Sequence, residues 1–197
     1  MGTRHLICAS INGETKLAQY GRWDGYPEGQ GMDVLAFCQA LVDDPEKYAS
    51  FTENLAACRF ITDDECEQIT AGKMDRPSSA DRDLGSDILE MIAEGETLMV
   101  NDVEFGRDGL FCEWAYWIDF DTRQVEVYRG LNVKNSMPWA ENRFGEPLPD
   151  TDAKGYKNEY TPVALMHSFS FDTLPDKDSF LFILKQYDNA ELEDASA

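Results

Sequence analysis

The chain is poor in the groups that common site chemistries need. Two histidines, His5 and His167, stand in 197 residues, too few for a histidine-rich transition-metal site. No CxxC pair occurs, so a structural zinc site or a thioredoxin-type motif has no support. There is no Walker lysine, no GxGxxG spacing and no GxSxG elbow. No apolar run reaches about 18 residues, so no transmembrane helix is expected. The N-terminus lacks the charged region, apolar stretch and cleavage site of a signal peptide, so a cytoplasmic location is expected. Positive charge is scarce too. The 17 basic residues face 38 acidic ones, for a net charge of -21, and no Lys/Arg cluster appears. Such a chain repels nucleic acid unless its cations gather on one face, so no direct nucleic-acid binding and no membrane partner are expected.

What is present specifies a folded protein. The hydrophobic fraction is 43% and the aromatic fraction 12%, enough for one sizeable core at this length. A single domain over 1–190 and an acidic, frayed tail over 191–197 are expected. Cys8, Cys38, Cys58, Cys66 and Cys112 are dispersed, and four of them lie in apolar periodic segments. Buried free thiols in a reducing compartment fit that pattern. The acidic surplus has two readings. Solubility is preferred; mimicry of a nucleic-acid backbone is the alternative.

Residues 4–11 alternate as a strand, and Asn12-Gly13 is the strongest short hairpin signal, returning the chain over 15–20. After Gly31 the apolar period becomes helical. Val34, Phe37, Cys38 and Leu41 form one face and a predicted core stripe. Asp44-Pro45 stops that helix and starts the next, along Tyr48, Phe51, Leu55 and Cys58. Thr62 to Glu65 has capping-box spacing. Leu84, Ile88, Met91 and Ile92 mark a fourth helix, with Asp81 or Asp83 as its cap and Gly95 as its stop. From residue 96 the period moves toward two. Residues 114–120 and 125–128 read as a second hairpin, 132–158 as a long excursion, and 160–171 as a strand. That strand would carry Val163, Leu165, His167, Phe169 and Phe171 on one face. Phe180 to Leu184 fits a last helix or a strand. The predicted architecture is α+β: a largely antiparallel sheet from N- and C-terminal hairpins, with a helical segment over about 31–94 on one face.

The densest segment is the loop between the first hairpin and the first helix. Tyr20, Arg22, Trp23, Asp24, Gly25, Tyr26, Gly29 and Gly31 are the predicted ligand- or partner-binding residues. Glycines at 21, 25, 29 and 31 permit positive φ and close backbone approach. The last two precede a helix whose free N–H groups attract anions. Arg22 adds a charge-assisted contact, and Tyr20, Trp23 and Tyr26 offer stacking faces for a nucleotide-like ligand. Asp24, Glu28 and Asp33 bring opposing negative charge. Alternatively, the aromatics seal the sheet edge and Asp24 caps a turn. Arg82 is read as pairing with an acidic group such as Asp24.

Catalytic constellations are weak, and no cofactor is called. Residue 2 is glycine, so removal of Met1 exposes no nucleophile. Cys8 with His5 or His167 as base would form a pair, but His5 and Cys8 face opposite sides of one strand. Asp119 and Asp121 form a D-x-D, better explained by a turn than by magnesium, and no metal site is called.

The opening Thr3-Arg4-His5-Leu6-Ile7, followed by Ala18-Gln19-Tyr20-Gly21-Arg22-Trp23-Asp24-Gly25-Tyr26-Pro27-Glu28-Gly29-Gln30-Gly31, resembles the start of an uncharacterised family of bacteriophage and bacterial proteins. Arg82-Asp83-Leu84-Gly85-Ser86-Asp87-Ile88-Leu89 and the segment from Trp114 to Gly130 fit the same family, over about two thirds of the chain. The resemblance implies a phage or prophage setting and supplies no catalytic residues. The reading favoured is a non-enzymatic binding protein that captures a host protein or a small, nucleotide-like ligand through residues 20–31, for host takeover or anti-defence. The alternatives are a hydrolase or transferase acting on a nucleotide-like or amide substrate under the same loop, and an acidic nucleic-acid mimic.

Overall fold

The Asn12-Gly13 turn starts the sheet. Its φ angles of 57° and 73° are the left-handed pair that a type I′ hairpin needs, and the Asp121 carboxylate accepts both turn N–H groups at 2.8 Å. The turn joins β1 (His5–Ile11) to β2 (Glu14–Gly21). The computed structural model of the chain describes residues 2–131, 143–146, 149, 151, 157 and 159–194. In chain order, α1 (Met32–Val42), α2 (Pro45–Ala57), β3 (Arg59–Phe60), α3 (Asp63–Thr70), α4 (Asp87–Ala93) and β4 (Leu98–Met99) follow. Then come β5 (Trp114–Asp119), β6 (Gln124–Arg129), β7 (Ala164–Ser170) and α5 (Lys177–Asp194).

The main sheet has the order β2-β1-β5-β6-β7. Its β1–β5 pair is parallel and its other pairs are antiparallel, so the α+β, largely antiparallel architecture holds. A parallel pair needs a long crossover, which the helical segment supplies. β5 is the middle strand, and the N-terminal ribbon flanks it with β2 at the edge. β3 and β4 form a separate parallel pair.

Alternation along each strand divides the core in two. Ile7, Tyr116, Ile118, Val125 and Val127 face the helices, against Val34 and Leu35 of α1, Phe51 and Leu55 of α2, and Ile88 and Ile92 of α4. Leu6, Cys8, Ala115, Trp117 and Tyr128 face the other way, under Cys112, Phe144 and Val163. Helices thus pack on one face, as expected, and non-helical segments close the other.

Local helix chemistry matches the sequence pattern. Asp44 accepts from the N–H groups of Glu46 and Lys47 with Pro45 in the first turn, and Thr62 and Glu65 form a reciprocal capping box. None of the residues of α3 is buried, so caps and the Arg59–Glu65 ion pair at 2.7 Å hold that helix rather than packing. α4 begins at Asp87 behind Ser86, with no side-chain cap. Neither Asp81 nor Asp83 caps it, because both are engaged by the neighbouring loop.

Several sequence expectations shift. Phe37 is only partly buried, its ring edge-on to Phe51 of α2, while Leu35 is buried. The last strand is shorter than 160–171 and carries a register shift between Val127 and Tyr128. Met166 bulges there, so the predicted single face splits: Val163 packs on the second face and Phe169 on the helix side. Phe171 begins a short 3₁₀ turn. Phe180 to Leu184 is helical, and α5 runs on to Asp194. Residues 195–197 and most of 132–158 lie outside the described residues.

One exception within 132–158 is Arg143. Its guanidinium donates to Glu126 at 2.6 and 2.7 Å and to Asp119 at 2.5 Å, 5.0 Å from the Trp117 ring. Asp119 also accepts from the N–H groups of Asp121 and Thr122. The D-x-D is therefore a turn and ion-pair element.

Leu35→Ala should cost about 2–5 kcal/mol of unfolding free energy by urea titration, and Phe37→Ala distinctly less. A larger loss at Phe37 than at Leu35 would show that α1 packs with the other face inward.

Candidate functional site

The 20–31 loop is held by bonds from three directions. At its centre the buried Tyr116 hydroxyl of β5 donates to the Gly25 carbonyl at 2.9 Å. Burial pushes that phenol well above its ordinary pKa, with the Glu28 charge adding to the effect, so it stays a donor. The Gly25 N–H donates to the Thr3 carbonyl at 3.0 Å, and the Gln30 N–H to the Asp24 carbonyl at 2.9 Å. Gln30 in turn accepts the Ser86 N–H at 2.6 Å, tying the loop to the start of α4.

The glycines serve close approach rather than unusual backbone angles. None of the glycines at 21, 25, 29 and 31 has positive φ; the left-handed residue is Asp24, at 53°. A Cβ on Gly31 would stand 2.8 Å from the Tyr116 hydroxyl, and one on Gly25 would meet the His5 Cβ at 2.7 Å. The expected anion site at the helix start is not there. The N–H groups of residues 29–31 are already donated to the carbonyls of Tyr26 and Asp24. Asp24 does not orient Trp23 either; its carboxylate accepts the Tyr26 hydroxyl at 3.2 Å.

Asp83, 60 residues away, performs that orientation. It takes a two-pronged contact from Arg22 (through Nε, and through Nη2 at 2.6 Å) and the Trp23 indole N–H at 2.8 Å. The Arg22 contact holds its carboxyl below the usual range. The Arg22 N–H also donates to the Arg82 carbonyl. Arg82 forms no ion pair among the described residues; its charge acts on Asp102 and its guanidinium lies 5.2 Å from the Tyr20 ring, which corrects the predicted pairing with Asp24. Trp23 stays half exposed at 51%, and Tyr26 at 39%.

Beyond this brace lies an open cleft of about 590 Å³, lined by Arg22, Arg76 and Arg82 with Asp81. Asp81 shares that lining, Asp83 engages Arg22, and the charges of Arg76 and Arg82 act on Asp102, so three arginines and three carboxylates gather here in a chain whose net charge is -21. Among the described residues no carboxylate stands within ion-pair distance of Arg76 or Arg82. Arg76 donates only to the Ala80 carbonyl, at 2.9 Å. Sequence reasoning missed this convergence. Arg22 and Arg82 lay inside the motifs singled out, but Arg76 stood in a stretch read as a plain loop.

His5 sits beneath the loop, 1% exposed, and neither ring nitrogen has a hydrogen-bond partner. Burial pushes its pKa down to about 4, against smaller opposing pulls from the Thr3 backbone and the Asp24 charge. The candidate catalytic residues do not meet. Cys8 and His167 lie on opposite faces, three strands apart in the sheet order, roughly 14 Å by strand spacing. Burial raises the Cys8 thiol well above its ordinary pKa, and His167 bonds the Tyr187 hydroxyl at 3.0 Å. Cys66 is exposed, the other four cysteines are buried, and all five are free. Among the described residues no group of three or more His, Cys, Asp or Glu is placed to hold a metal ion, and no helix is long and apolar enough to cross a membrane.

Comparison with protein-family models, with curated proteins and with solved structures finds no match.

His5 generates a pH prediction. Its folded pKa of about 4 lies below the unfolded value of 6.5, so between those values the unfolded chain binds more protons. The neutral ring's contribution is complete above pH 6.5 and is lost as pH falls toward 4, by about 3 kcal/mol at roughly 1.36 kcal/mol per pH step. Urea titrations at pH 7.5 and 4.5 should show a smaller acid-induced loss in His5→Phe than in the parent. Equal losses would mean that the ring is protonated or solvated in the fold.

Proposed function

We propose that this chain is a non-enzymatic binding protein that captures a small anionic ligand in the arginine cleft beside residues 20–31. The observation that carries this is the convergence of Arg22, Arg76 and Arg82 on one open cleft, two of them without a carboxylate partner. An arginine on a protein surface this acidic finds carboxylates easily, as Arg59, Arg107 and Arg123 do. Arg76 and Arg82 hold no ion pair of their own among the described residues, so their guanidinium groups remain available to an anion entering the cleft. Planar guanidiniums suit phosphate or carboxylate oxygens in two-pronged geometry.

The loop contributes by position. Asp83 fixes Arg22 at the cleft wall and keeps Trp23 at its margin. Tyr20 lends its ring to Arg82. Of the predicted binding residues, Arg22 lines the cleft, Trp23 and Tyr20 are tied to its surroundings through Asp83 and Arg82, and Gly25, Gly29 and Gly31 build the loop that holds them. A phage or prophage setting, with host takeover or anti-defence as its use, is the part of the proposal that the motif resemblance supports. We assign no reaction to the site.

Calorimetric titration of the full chain with pyrophosphate should give a dissociation constant between about 10 μM and 1 mM at low salt. Affinity should fall steeply as salt rises and drop at least about tenfold in Arg82→Ala and in Arg76→Ala. Both variants should melt near the parent temperature, since neither residue is buried. Absence of binding at millimolar pyrophosphate, or undiminished affinity in both variants, would remove the proposal.

A further inference from the structure

We infer that the ligand of this cleft is a mononucleotide, with its phosphates among the arginines, its sugar against Gln19 and Asp102, and its base against Tyr20, Phe105 and Phe111. This rests on the anion-binding reading above and adds the ligand's chemical class.

Two further grooves adjoin the arginine cleft. A second, of about 340 Å³, shares Arg76, Pro77, Ala80 and Arg82 with it. A third, of about 280 Å³, shares Arg82 with both and Asp102 with the second. Arg82 borders all three, so the grooves are neighbours.

The chemistry changes from one to the next. The first part is cationic. The second is a slot between Pro77, Ile61 and Val100, with hydrogen-bond acceptors at Gln19 and Asp102. Gln19 is 1% exposed. Its amide N–H groups reach the carbonyls of Asp81 at 2.9 Å and Tyr20 at 3.4 Å, which fixes which end of the amide is oxygen. That oxygen is buried and has no donor. A buried acceptor without a donor is costly and rare; closed off as it stands, this oxygen meets a ligand hydroxyl only when the amide shifts toward the groove. Asp102 accepts the Tyr20 N–H at 3.2 Å, feels the Arg82 and Arg76 charges and forms no ion pair among the described residues, so its carboxylate can accept from a sugar diol as acidic residues do at ribose.

The third part is aromatic. Tyr20 and Phe105 meet edge to face at 4.7 Å, Phe111 is 45% exposed, and Arg82 and Arg4 lie over the rings of Tyr20 and Phe111 at 5.2 and 4.6 Å. Aromatic and guanidinium planes side by side are the surfaces on which bases stack. A bare anion would use the first part alone. A nucleic-acid strand would need a basic track, which the charge balance denies it. A phosphorylated nucleoside uses all three parts in the order in which they occur.

The test titrates the full chain with pyrophosphate and with the four common nucleoside 5′-diphosphates, by calorimetry and by the rate at which iodoacetamide alkylates Cys66. Cys66 lines the second groove and not the first, and it is the exposed thiol. At least one diphosphate should bind tenfold tighter than pyrophosphate and slow the alkylation, while pyrophosphate leaves the rate unchanged. Phe111→Ala should cost that nucleotide at least about fivefold and leave pyrophosphate within twofold. Asp102→Asn should weaken the nucleotide and leave pyrophosphate equal or tighter, because it removes a negative charge. If every nucleoside diphosphate binds no tighter than pyrophosphate and Cys66 is unprotected, the cleft takes a bare anion, and this inference falls while the anion reading stands. If neither pyrophosphate nor any nucleotide binds, both fall together.

Discussion

The buried hydrogen bond from the Tyr116 hydroxyl to the Gly25 carbonyl sets the geometry of everything around the cleft. Tyr116 is on the middle strand and is fully buried, so its hydroxyl must be satisfied within the protein. The carbonyl it finds belongs to a loop that would otherwise be free to lift. Fixing Gly25 there places the left-handed Asp24 just before it and directs Arg22 and Trp23 toward Asp83. It also demands that residue 31 carry no side chain, since a Cβ would collide with the hydroxyl. One polar atom in the core thus constrains the loop's backbone, its glycines and the direction of its exposed side chains.

Much of the fold was legible because it is encoded locally. The Asn12-Gly13 turn, the Asp44-Pro45 junction and the Thr62–Glu65 box each depend on residues within a few positions of one another, and each formed as read. The β5–β6 hairpin followed from alternation alone. The misreadings share a different cause. The Met166 bulge is a register event between strands, and it moved Val163 to the other face from Phe169. Phe37 and Leu35 are both compatible with an apolar stripe, and tertiary packing chose between them.

The candidate site was legible in position but not in mechanism. Of the segment over 20–31, Arg22 lines the cleft. The segment's glycines were credited with anion binding, yet their N–H groups close the loop on itself. What orients Arg22 and Trp23 is a carboxylate 60 residues away, and what completes the cationic surface is Arg76. Neither relation leaves a mark at short sequence separation. Asp83 before a helix has the appearance of a cap, and Arg76 before a proline has the appearance of a loop charge.

The arginines show how partners decide what a residue type does. Arg143 is clamped by Glu126 and Asp119 over the Trp117 ring. Those contacts raise its pKa further and leave it committed to holding its segment against the second face of the sheet. Removing either carboxylate there would strand a partly buried charge. Arg22 is intermediate: Asp83 holds it, yet both groups are about half exposed, so the pair is screened and adds position more than stability. Arg76 and Arg82 complete the series, with a carbonyl and a ring as their contacts and, among the described residues, no ion pair. The overall charge of -21 sharpens the contrast. An anion approaching this surface meets repulsion almost everywhere, within a screening length of about 8 Å at physiological salt. The approach on which it meets least repulsion is the one past Arg76 and Arg82, which form no ion pair among the described residues.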